Sequence, residues 1–162
     1  MIRPVTVQNA RDRTDFEILS HLQHDARLSN KELAAKIGLS PSSTLARVRR
    51  LERSGALLGY HAEVDPRVYG VTLEALVTVR LEKHARAAIL GFERHLASLT
   101  EARGWYHLAG ANDYLVHVAV RDADHLREFV IAAFTGRNEV AHVETSLIFS
   151  HRRRVTFGVL PR

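Results

Sequence analysis

Cysteine is absent from this 162-residue sequence, which excludes disulfides, thiolate nucleophiles and cysteine-ligated zinc or iron–sulfur centres. Long apolar runs are also missing, since no stretch approaches the ~18 residues that a membrane-spanning helix needs. The N-terminal residues MIRPVTVQNARDRTD contain no apolar segment of the kind that a secretion signal requires. These absences predict a soluble, cytoplasmic protein with no membrane partner.

Lysine is scarce, whereas arginine is abundant. Of the 23 cationic side chains only three are lysine, against 18 acidic side chains, and the formal net charge is +5. Arginine binds phosphate and carboxylate groups through a planar fork of donors. Neither half of the chain is a basic tail, because residues 1–65 carry 10 basic and 8 acidic side chains and residues 66–162 carry 13 and 10. The positive charge is concentrated locally instead, in Arg47, Arg49, Arg50 and Arg53, with Glu52 among them.

Three short helices are predicted in the first third of the chain. Capping-box spacing occurs at Thr14–Glu17 and at Ser29–Glu32. A third helix is predicted from Pro41 to about Arg53, because Ser40 is a good N-cap and proline is tolerated in the first turn. The tight Gly38–Leu39 connection separates the second helix from the third, as in a helix-turn-helix. The expected buried stripe of the first helix is Phe16, Ile18, Leu19 and Leu22.

The third predicted helix has two different faces. Leu45, Val48 and Leu51 form a thin apolar seam that can pack on the first two helices. The opposite face has small residues near its N-terminus and arginines towards its C-terminus, which suits a helix in the DNA major groove. A solvated amphipathic helix is the alternative, although outward serine and alanine contribute little to such a surface. The predicted DNA-binding residues are Ser40, Ser42, Ser43, Ala46, Arg47, Arg49, Arg50 and Arg53.

Residues 56–64 (ALLGYHAEV) alternate loosely around Gly59, a pattern typical of a small hairpin. Such a hairpin would be the wing of a winged helix-turn-helix, with Tyr60 or His61 near DNA phosphates. A strand pair that only closes the small core is the alternative. The following residues, Asp65 to Gly70, contain proline and glycine and predict a linker.

Beyond residue 70 the hydrophobic period changes from helical to two. The predicted order is strand, helix, strand, strand, helix, strand, at about 71–82, 85–99, 102–109, 114–121, 122–134 and 139–149. This βαββαβ order is that of a ferredoxin-like fold, in which both helices cover one face of an antiparallel sheet. The segment 114–120 is apolar on both sides, so we expect a second copy of the chain to cover the other face. The predicted fold class is α+β.

A set of spaced residues in the N-terminal half resembles the Lrp/AsnC (feast/famine) family of transcriptional regulators, and the resemblance covers nearly the whole chain. The residues are Asp12, Asp15, Ile18, Leu19, Leu22, Asp25, Arg27, Ser29, Glu32–Ala34, Gly38–Ser40, Arg47–Glu52, Gly55 and Gly59–Tyr60. The resemblance implies a winged helix-turn-helix before a ferredoxin-like domain that pairs as a dimeric α/β barrel. It also implies binding to double-stranded DNA, an amino acid or related effector bound between subunits, and homodimers that assemble to tetramers or octamers.

Together these patterns divide the chain into four parts. Residues 1–64 are the predicted DNA-binding domain, of which 1–11 are an N-terminal arm. Residues 65–70 are the linker, residues 71–151 the effector-binding and oligomerisation domain, and residues 152–162 a C-terminal tail.

The residues between the second and third predicted strands match the family's Gly-x-x-Asp-aromatic loop. Glycine lets a ligand approach the backbone, exposed N–H groups can receive a carboxylate, and Asp113 can pair with an ammonium group. The same residue types are also what a four-residue hairpin turn requires, so both interpretations stay open. The predicted effector-binding residues are His107, Gly110, Ala111, Asn112, Asp113 and Tyr114.

Other classes of function have weaker support in the sequence. His21 and His24 have a ligand spacing but no third ligand in register, so no metal or cofactor is predicted. A small dimeric ferredoxin-like enzyme is one alternative, and a DNA-coating protein without an effector is another. Since no catalytic spacing is present, the chain is not predicted to be an enzyme. The residues that would line an enzyme site are Trp105, His107, Asn112, Asp113 and His117.

Overall fold

The computed structural model describes residues 12–152 and 156–158. These residues form two compact units, one of the residues up to Glu63 together with those from Arg152 on, and one of Val64–His151. In the first unit the Phe157 backbone is bound to the Gln23 side chain, whose Oε1 accepts the Phe157 N–H at 2.6 Å. The predicted arm, and residues 153–155 and 159–162 of the predicted tail, lie outside the described residues. The domain boundaries stay a prediction.

Three helices make up most of the first unit. They are α1 (Arg13–His24), α2 (Asn30–Ile37) and α3 (Pro41–Arg53). Ser29 and Glu32 form the predicted capping box of α2. The α2 helix ends at Gly38, whose φ of 69° lies in the left-handed region and allows the sharp turn into α3. The helix-turn-helix is therefore observed where the capping residues predicted it.

The start and the buried face of α1 differ from the prediction. The N-cap is Asp12 rather than Thr14, because the Asp12 side chain accepts the Asp15 N–H at 2.9 Å. Phe16 is 41% exposed, because the buried side of α1 carries Asp15, Ile18 and Leu22 instead, so its placement in the buried stripe was wrong. The core of the unit consists of Ile18, Leu22, Leu33 and Leu51.

The apolar seam of α3 also differs in one residue. Leu51 is buried as predicted, but Leu45 is 38% exposed. The preceding residue, Thr44, is fully buried. Its hydroxyl donates a hydrogen bond to the Ser40 carbonyl at 3.0 Å, so the group can be buried without a water partner.

The segment after α3 contains no β-strand within the described residues 54–65, so the predicted hairpin was wrong. The backbone N–H groups of Ala56 and Leu57 donate to the Leu51 carbonyl and are therefore not available to a β-ladder. The Tyr60 hydroxyl donates to Glu52 Oε1 at 3.0 Å, which ties this irregular segment to α3.

The second unit has the predicted βαββαβ order. Its elements are β1 (Leu73–Leu81), α4 (Arg86–Ser98), β2 (Ala102–His107), β3 (Tyr114–Val120), α5 (Ala123–Val130) and β4 (Val140–Leu147). A 3-10 turn at Pro66–Tyr69 precedes β1, and α5 continues into a π-helical stretch at Ile131–Thr135. The strands are ordered β2-β3-β1-β4, and every neighbouring pair is antiparallel. Because β2 ends at His107, the loop before β3 is longer than the predicted four-residue turn.

Alternate residues of β1 point to opposite faces of the sheet. Ala75, Val77 and Val79 are fully buried in one cluster with Phe92 of α4 and with α5 residues, so both helices cover the same face. We call the other side the open face; its residues Glu74, Leu76, Thr78, Leu115 and His117 are only half-buried. Among the helices that the structure describes, none is both long and apolar enough to cross a membrane.

Candidate DNA-binding surface and effector site

The N-terminal end of α3 presents a cluster of serine hydroxyls. Ser40 Oγ accepts the Ser43 N–H at 3.2 Å, donates to Ser43 Oγ at 2.9 Å and lies 3.1 Å from Ser42 Oγ. These three side chains and Ala46 are exposed. A helix end with small side chains allows backbone N–H groups to approach phosphates or base edges closely. This half of the predicted DNA-binding surface is therefore open.

The four arginines of α3 fall into two pairs. Arg49 and Arg53 are exposed, and Arg53 Nε donates to the Arg49 carbonyl at 3.2 Å. The ion pairs of α3 in the described chain involve Arg47 and Arg50 instead. Arg49 and Arg53 are thus the cations of this helix that no carboxylate neutralises among the described residues.

Arg47 and Arg50 bind carboxylates of α1 and its cap. Arg50 Nη2 donates to both oxygens of Asp15, at 2.8 and 2.6 Å. Arg47 Nη1 donates to Asp15 Oδ1 at 2.9 Å and to Asp12 Oδ2 at 2.7 Å. We call these four residues the acidic clamp. Chain folding thus brings two carboxylates to these arginines in addition to Glu52, which is their neighbour in the sequence.

The clamp changes the electrostatics of the α3 edge. The hydrogen bond from the Asp15 N–H, together with the Arg47 guanidinium, lowers the pKa of Asp12 from its ordinary value. Asp12 and Asp15 in turn raise the pKa of Arg47. Both groups are therefore held in their charged forms, and part of the positive charge of α3 is compensated within the unit.

The loop at 108–113 carries most of the predicted effector residues. It is closed by the Leu108 N–H, which donates to the Asp113 carbonyl at 2.8 Å. Gly110 has a φ of 138°, and apart from its two chain neighbours no described residue has an atom within 4 Å of the position that a Cβ would occupy. Gly110 and Ala111 are exposed, and Asn112 is half-buried. The backbone of this loop is thus open to a small ligand.

Asp113 is buried, with 7% of its surface exposed. Its Oδ2 accepts the Leu81 N–H at 2.7 Å, and its Oδ1 lies 2.8 Å from His84 Nε2. Its own N–H donates to the Val79 carbonyl at 2.9 Å. Because both carboxylate oxygens have protein partners, the geometry does not support the predicted contact between Asp113 and a ligand ammonium group. Asp113 fastens the loop to the end of β1.

Tyr114 and His107 lie side by side at the same end of the sheet. Their rings stack, with centroids 4.7 Å apart and an interplanar angle of 11°. Tyr114 is fully buried, yet its hydroxyl has no hydrogen-bond partner among the described residues. Burial is the largest cause of the raised pKa of Tyr114, about 12, followed by the charges of Glu93 and Asp113 and a weak hydrogen-bonding interaction with the Glu93 side chain. A buried, neutral hydroxyl whose nearest acceptor, Glu93, does not reach full hydrogen-bond geometry is a suitable group to bind a ligand.

The structure separates the residues that would line an enzyme site. Trp105 packs against the core on the helix-covered face. His117 lies on the open face, where its Nε2 is 2.6 Å from Glu74 Oε2. Within the described residues no group of three histidine or acidic side chains can hold a metal ion. His24 Nδ1 lies 2.8 Å from the Ser20 carbonyl of its own helix.

Sequence reasoning missed three contacts of these sites: Asp12, Asp15 and His84. Asp12 and Asp15 lie at the start of α1 and meet the α3 arginines only through the fold, 35 residues apart in Asp12–Arg47 and Asp15–Arg50. His84 follows the end of β1 and meets the loop only through the fold, so no local pattern marked it.

Comparisons with known proteins match both units. Residues 11–57 match a family model described as winged helix-turn-helix DNA-binding, and residues 74–155 match that of the Lrp/AsnC ligand binding domain. The HTH-type transcriptional regulator AldR of Mycolicibacterium smegmatis is 40% identical over 146 residues, 89% of this chain and 85% of that protein. The transcriptional regulator AzlB of Bacillus subtilis is 33% identical over 143 residues, 88% of this chain and 91% of that protein.

Solved structures of similar proteins have the same fold. A transcriptional regulator from Neisseria meningitidis in complex with L-Met superposes with a TM-score of 0.83 at 28% identity, covering 90% of this chain and 94% of that one. Escherichia coli AsnC superposes with a TM-score of 0.82 at 25% identity, covering 92% of this chain and 99% of that one. The helix-turn-helix and the four-stranded sheet are thus the two halves of one known architecture, and the chain belongs to the Lrp/AsnC family of DNA-binding transcriptional regulators.

Proposed function

We propose that the chain binds operator DNA as a homodimer through α3, and that an amino acid or related small molecule modulates this binding. The observation that carries the proposal is the exposed face of α3, with serines and Ala46 at one end and Arg49 and Arg53 at the other. In a dimer, two such helices would enter successive major grooves about 34 Å apart. The family relationship makes the chain a transcriptional regulator rather than an enzyme.

Within this surface we assign different roles to the two ends of α3. The serine end is small enough for base edges to approach it, and its hydroxyls can donate or accept hydrogen bonds. Arg49 and Arg53 are placed to contact phosphates, which fix the register of the helix on the duplex.

The proposed effector site comprises His107, Gly110, Ala111, Asn112 and Tyr114. The open loop backbone can receive a carboxylate, and the Tyr114 hydroxyl has unused hydrogen-bonding capacity. The complex of the Neisseria protein with L-Met supports an amino acid as the ligand class. Asp113, which has protein partners, would shape the loop rather than touch the ligand.

We also propose that the open face pairs with a second copy of the chain. Leu76 and Leu115 lie on this face and are half-buried in the single chain. An apolar strip in the middle of a sheet is stabilised when another sheet covers it. Larger assemblies, tetramers or octamers, would build on this dimer.

The test of DNA binding is the salt dependence of operator affinity. We expect Arg49→Ala to weaken binding and to reduce the slope of log affinity against log salt by about 0.9 for each phosphate that the variant no longer binds. The matched control is Arg127→Ala, an exposed arginine on α5, which should leave both values unchanged. Unchanged affinity and slope in Arg49→Ala would contradict the proposed surface.

The test of the effector site is a thermal shift measured with each of the twenty amino acids. A ligand that binds the folded chain raises its melting temperature, and the rise grows with ligand concentration. We expect at least one amino acid to do so, and Tyr114→Phe to reduce the shift. If none stabilises the protein, the chain would bind DNA without an amino acid effector.

A further inference from the structure

We propose that Asp15 is a positioning residue for DNA binding, which holds the guanidinium groups of Arg47 and Arg50 at the edge of α3 for contact with a DNA phosphate. The proposal rests on the DNA-binding function proposed above. It differs from that function in its assignment, since it places a buried acidic residue of α1 in control of two of the arginines of α3.

The contacts of Asp15 are specific in geometry. One nitrogen, Arg50 Nη2, donates to both carboxylate oxygens, while Arg47 Nη1 donates to Oδ1. Asp12 supports this arrangement twice, because its Oδ1 accepts the Asp15 N–H and its Oδ2 accepts Arg47 Nη1. Asp15 of α1 therefore fixes the orientation of each guanidinium, although it is more than 30 residues away in the sequence.

Burial divides the clamp into an inner and an outer part. The Asp15 side chain is 3% exposed, whereas those of Arg47 and Arg50 are 28% and 45% exposed. A carboxylate buried to this extent is costly to the fold unless it is paired. The arginines therefore remain attached to it, but one side of each is open to solvent.

The open side of Arg50 retains donors. A guanidinium has five N–H groups, and those on Nε and Nη1 of Arg50 have no hydrogen-bond partner within the described part of the chain. A side chain that is already held in one orientation loses less conformational entropy when it binds a phosphate. Arg47 and Arg50 are also one turn apart on α3, so they lie in one row along the helix.

Positioning and simple electrostatics predict opposite results for one substitution. Asp15→Asn removes a negative charge from the DNA-binding unit, so electrostatics alone predicts tighter binding to DNA. If Asp15 positions the arginines, the same variant binds operator DNA more weakly despite its higher positive charge. We expect a loss of about tenfold, a size typical of coupled contacts.

The experiment measures operator affinity and salt slope by fluorescence anisotropy for four proteins: wild type, Asp15→Asn, Arg50→Ala and the double variant. We expect Arg50→Ala to weaken wild-type binding and to have little further effect in the Asp15→Asn background. Glu17→Gln is the matched control, because it removes one acidic charge from the same helix without touching the clamp. It should change affinity by less than about twofold.

A variant that keeps the charge of residue 50 covers the case in which Asp15→Asn does not fold. Arg50→Lys should lose nearly as much affinity as Arg50→Ala, because an ammonium group cannot bind the carboxylate and a phosphate in the same fork geometry. Circular dichroism melting establishes that each variant is folded at the assay temperature.

The outcomes separate this proposal from the function on which it depends. Absence of salt-sensitive duplex binding by the wild type would overturn the proposed function itself. Wild-type binding together with equal or tighter binding by Asp15→Asn, or full affinity in Arg50→Lys, would overturn the positioning role alone.

Discussion

The Tyr114 hydroxyl lowers the stability of the fold and is at the same time available to bind a ligand. Tyr114 sits in the core of the second unit, fully buried, with a hydroxyl that has no hydrogen-bond partner among the described residues. Burying such a group without a partner costs about 1–3 kcal/mol. A ligand that hydrogen-bonds this hydroxyl would offset that cost.

We expect Tyr114→Phe to raise the free energy of unfolding by about 1 kcal/mol, because the substitution removes the unpaired hydroxyl and keeps the ring. Tyr69→Phe is the control, since Tyr69 is 75% exposed. Urea denaturation at neutral pH measures both. Destabilisation by Tyr114→Phe would mean that the hydroxyl has a partner.

The same variant should change the alkaline stability. The pKa of Tyr114 is raised from 10.0 to about 12 in the folded chain, so folding favours the protonated phenol. This contribution is fully present below pH 10 and is lost as the pH rises through about 12. Phenylalanine does not ionise, so the stability advantage of Tyr114→Phe should widen above pH 10.

Helices and strands were predictable where local rules determine them. The start of α3 followed from Ser40 and Pro41, and the βαββαβ order of elements in the second unit followed from the change in hydrophobic period. The acidic clamp was not predictable, since its two sides are separated by more than 30 residues. The hairpin after α3 failed because two N–H groups that its ladder would need donate to the Leu51 carbonyl. Asp113 was placed on the right loop, but its partners on β1 and at His84 depend on tertiary structure.

The N-cap of α1, Asp12, should make the stability of the first unit depend on pH in the acid range. The pKa of Asp12 is lowered in the folded chain, mainly by the Asp15 N–H. Its charge therefore stabilises the fold above its ordinary pKa, and this contribution is lost as the pH falls through the lowered value. Asp12→Asn keeps a good capping side chain but no charge.

We expect Asp12→Asn to be less stable than wild type at pH 6 and to approach it near pH 3, as followed by urea midpoints. Asp124→Asn, an exposed residue of α5, serves as control and should stay parallel to wild type throughout. A constant difference between Asp12→Asn and wild type at all pH values would contradict the assigned cause.

The whole molecule is expected to function as a dimer that brings together two α3 helices, one from each subunit, for DNA binding. Neither unit alone accounts for operator recognition, because one α3 can contact only one half-site. Linking two half-site contacts raises the affinity by a factor of about 10²–10⁴ over a single contact. Loss of the dimer should therefore reduce DNA binding even when α3 is intact.

We expect Leu76→Glu, on the open face, to shift the protein from dimer to monomer and to weaken operator binding by roughly 100-fold. Leu90→Glu, at a position of α4 that is 46% exposed, is the control for introducing the same charge. Light scattering gives the mass, and anisotropy gives the affinity. If the Leu76→Glu protein stays dimeric, the subunit interface does not lie on the open face.

The exposed serine cluster at the start of α3 allows the distance between the two α3 helices of a dimer to be measured. The natural chain contains no thiol, so Ser42→Cys would carry a nitroxide probe at one defined point in each subunit. Double electron–electron resonance would then report the probe-to-probe separation in solution, with and without DNA. A narrow distribution near the ~34 Å pitch of B-form DNA would show two helices held ready for one side of the duplex.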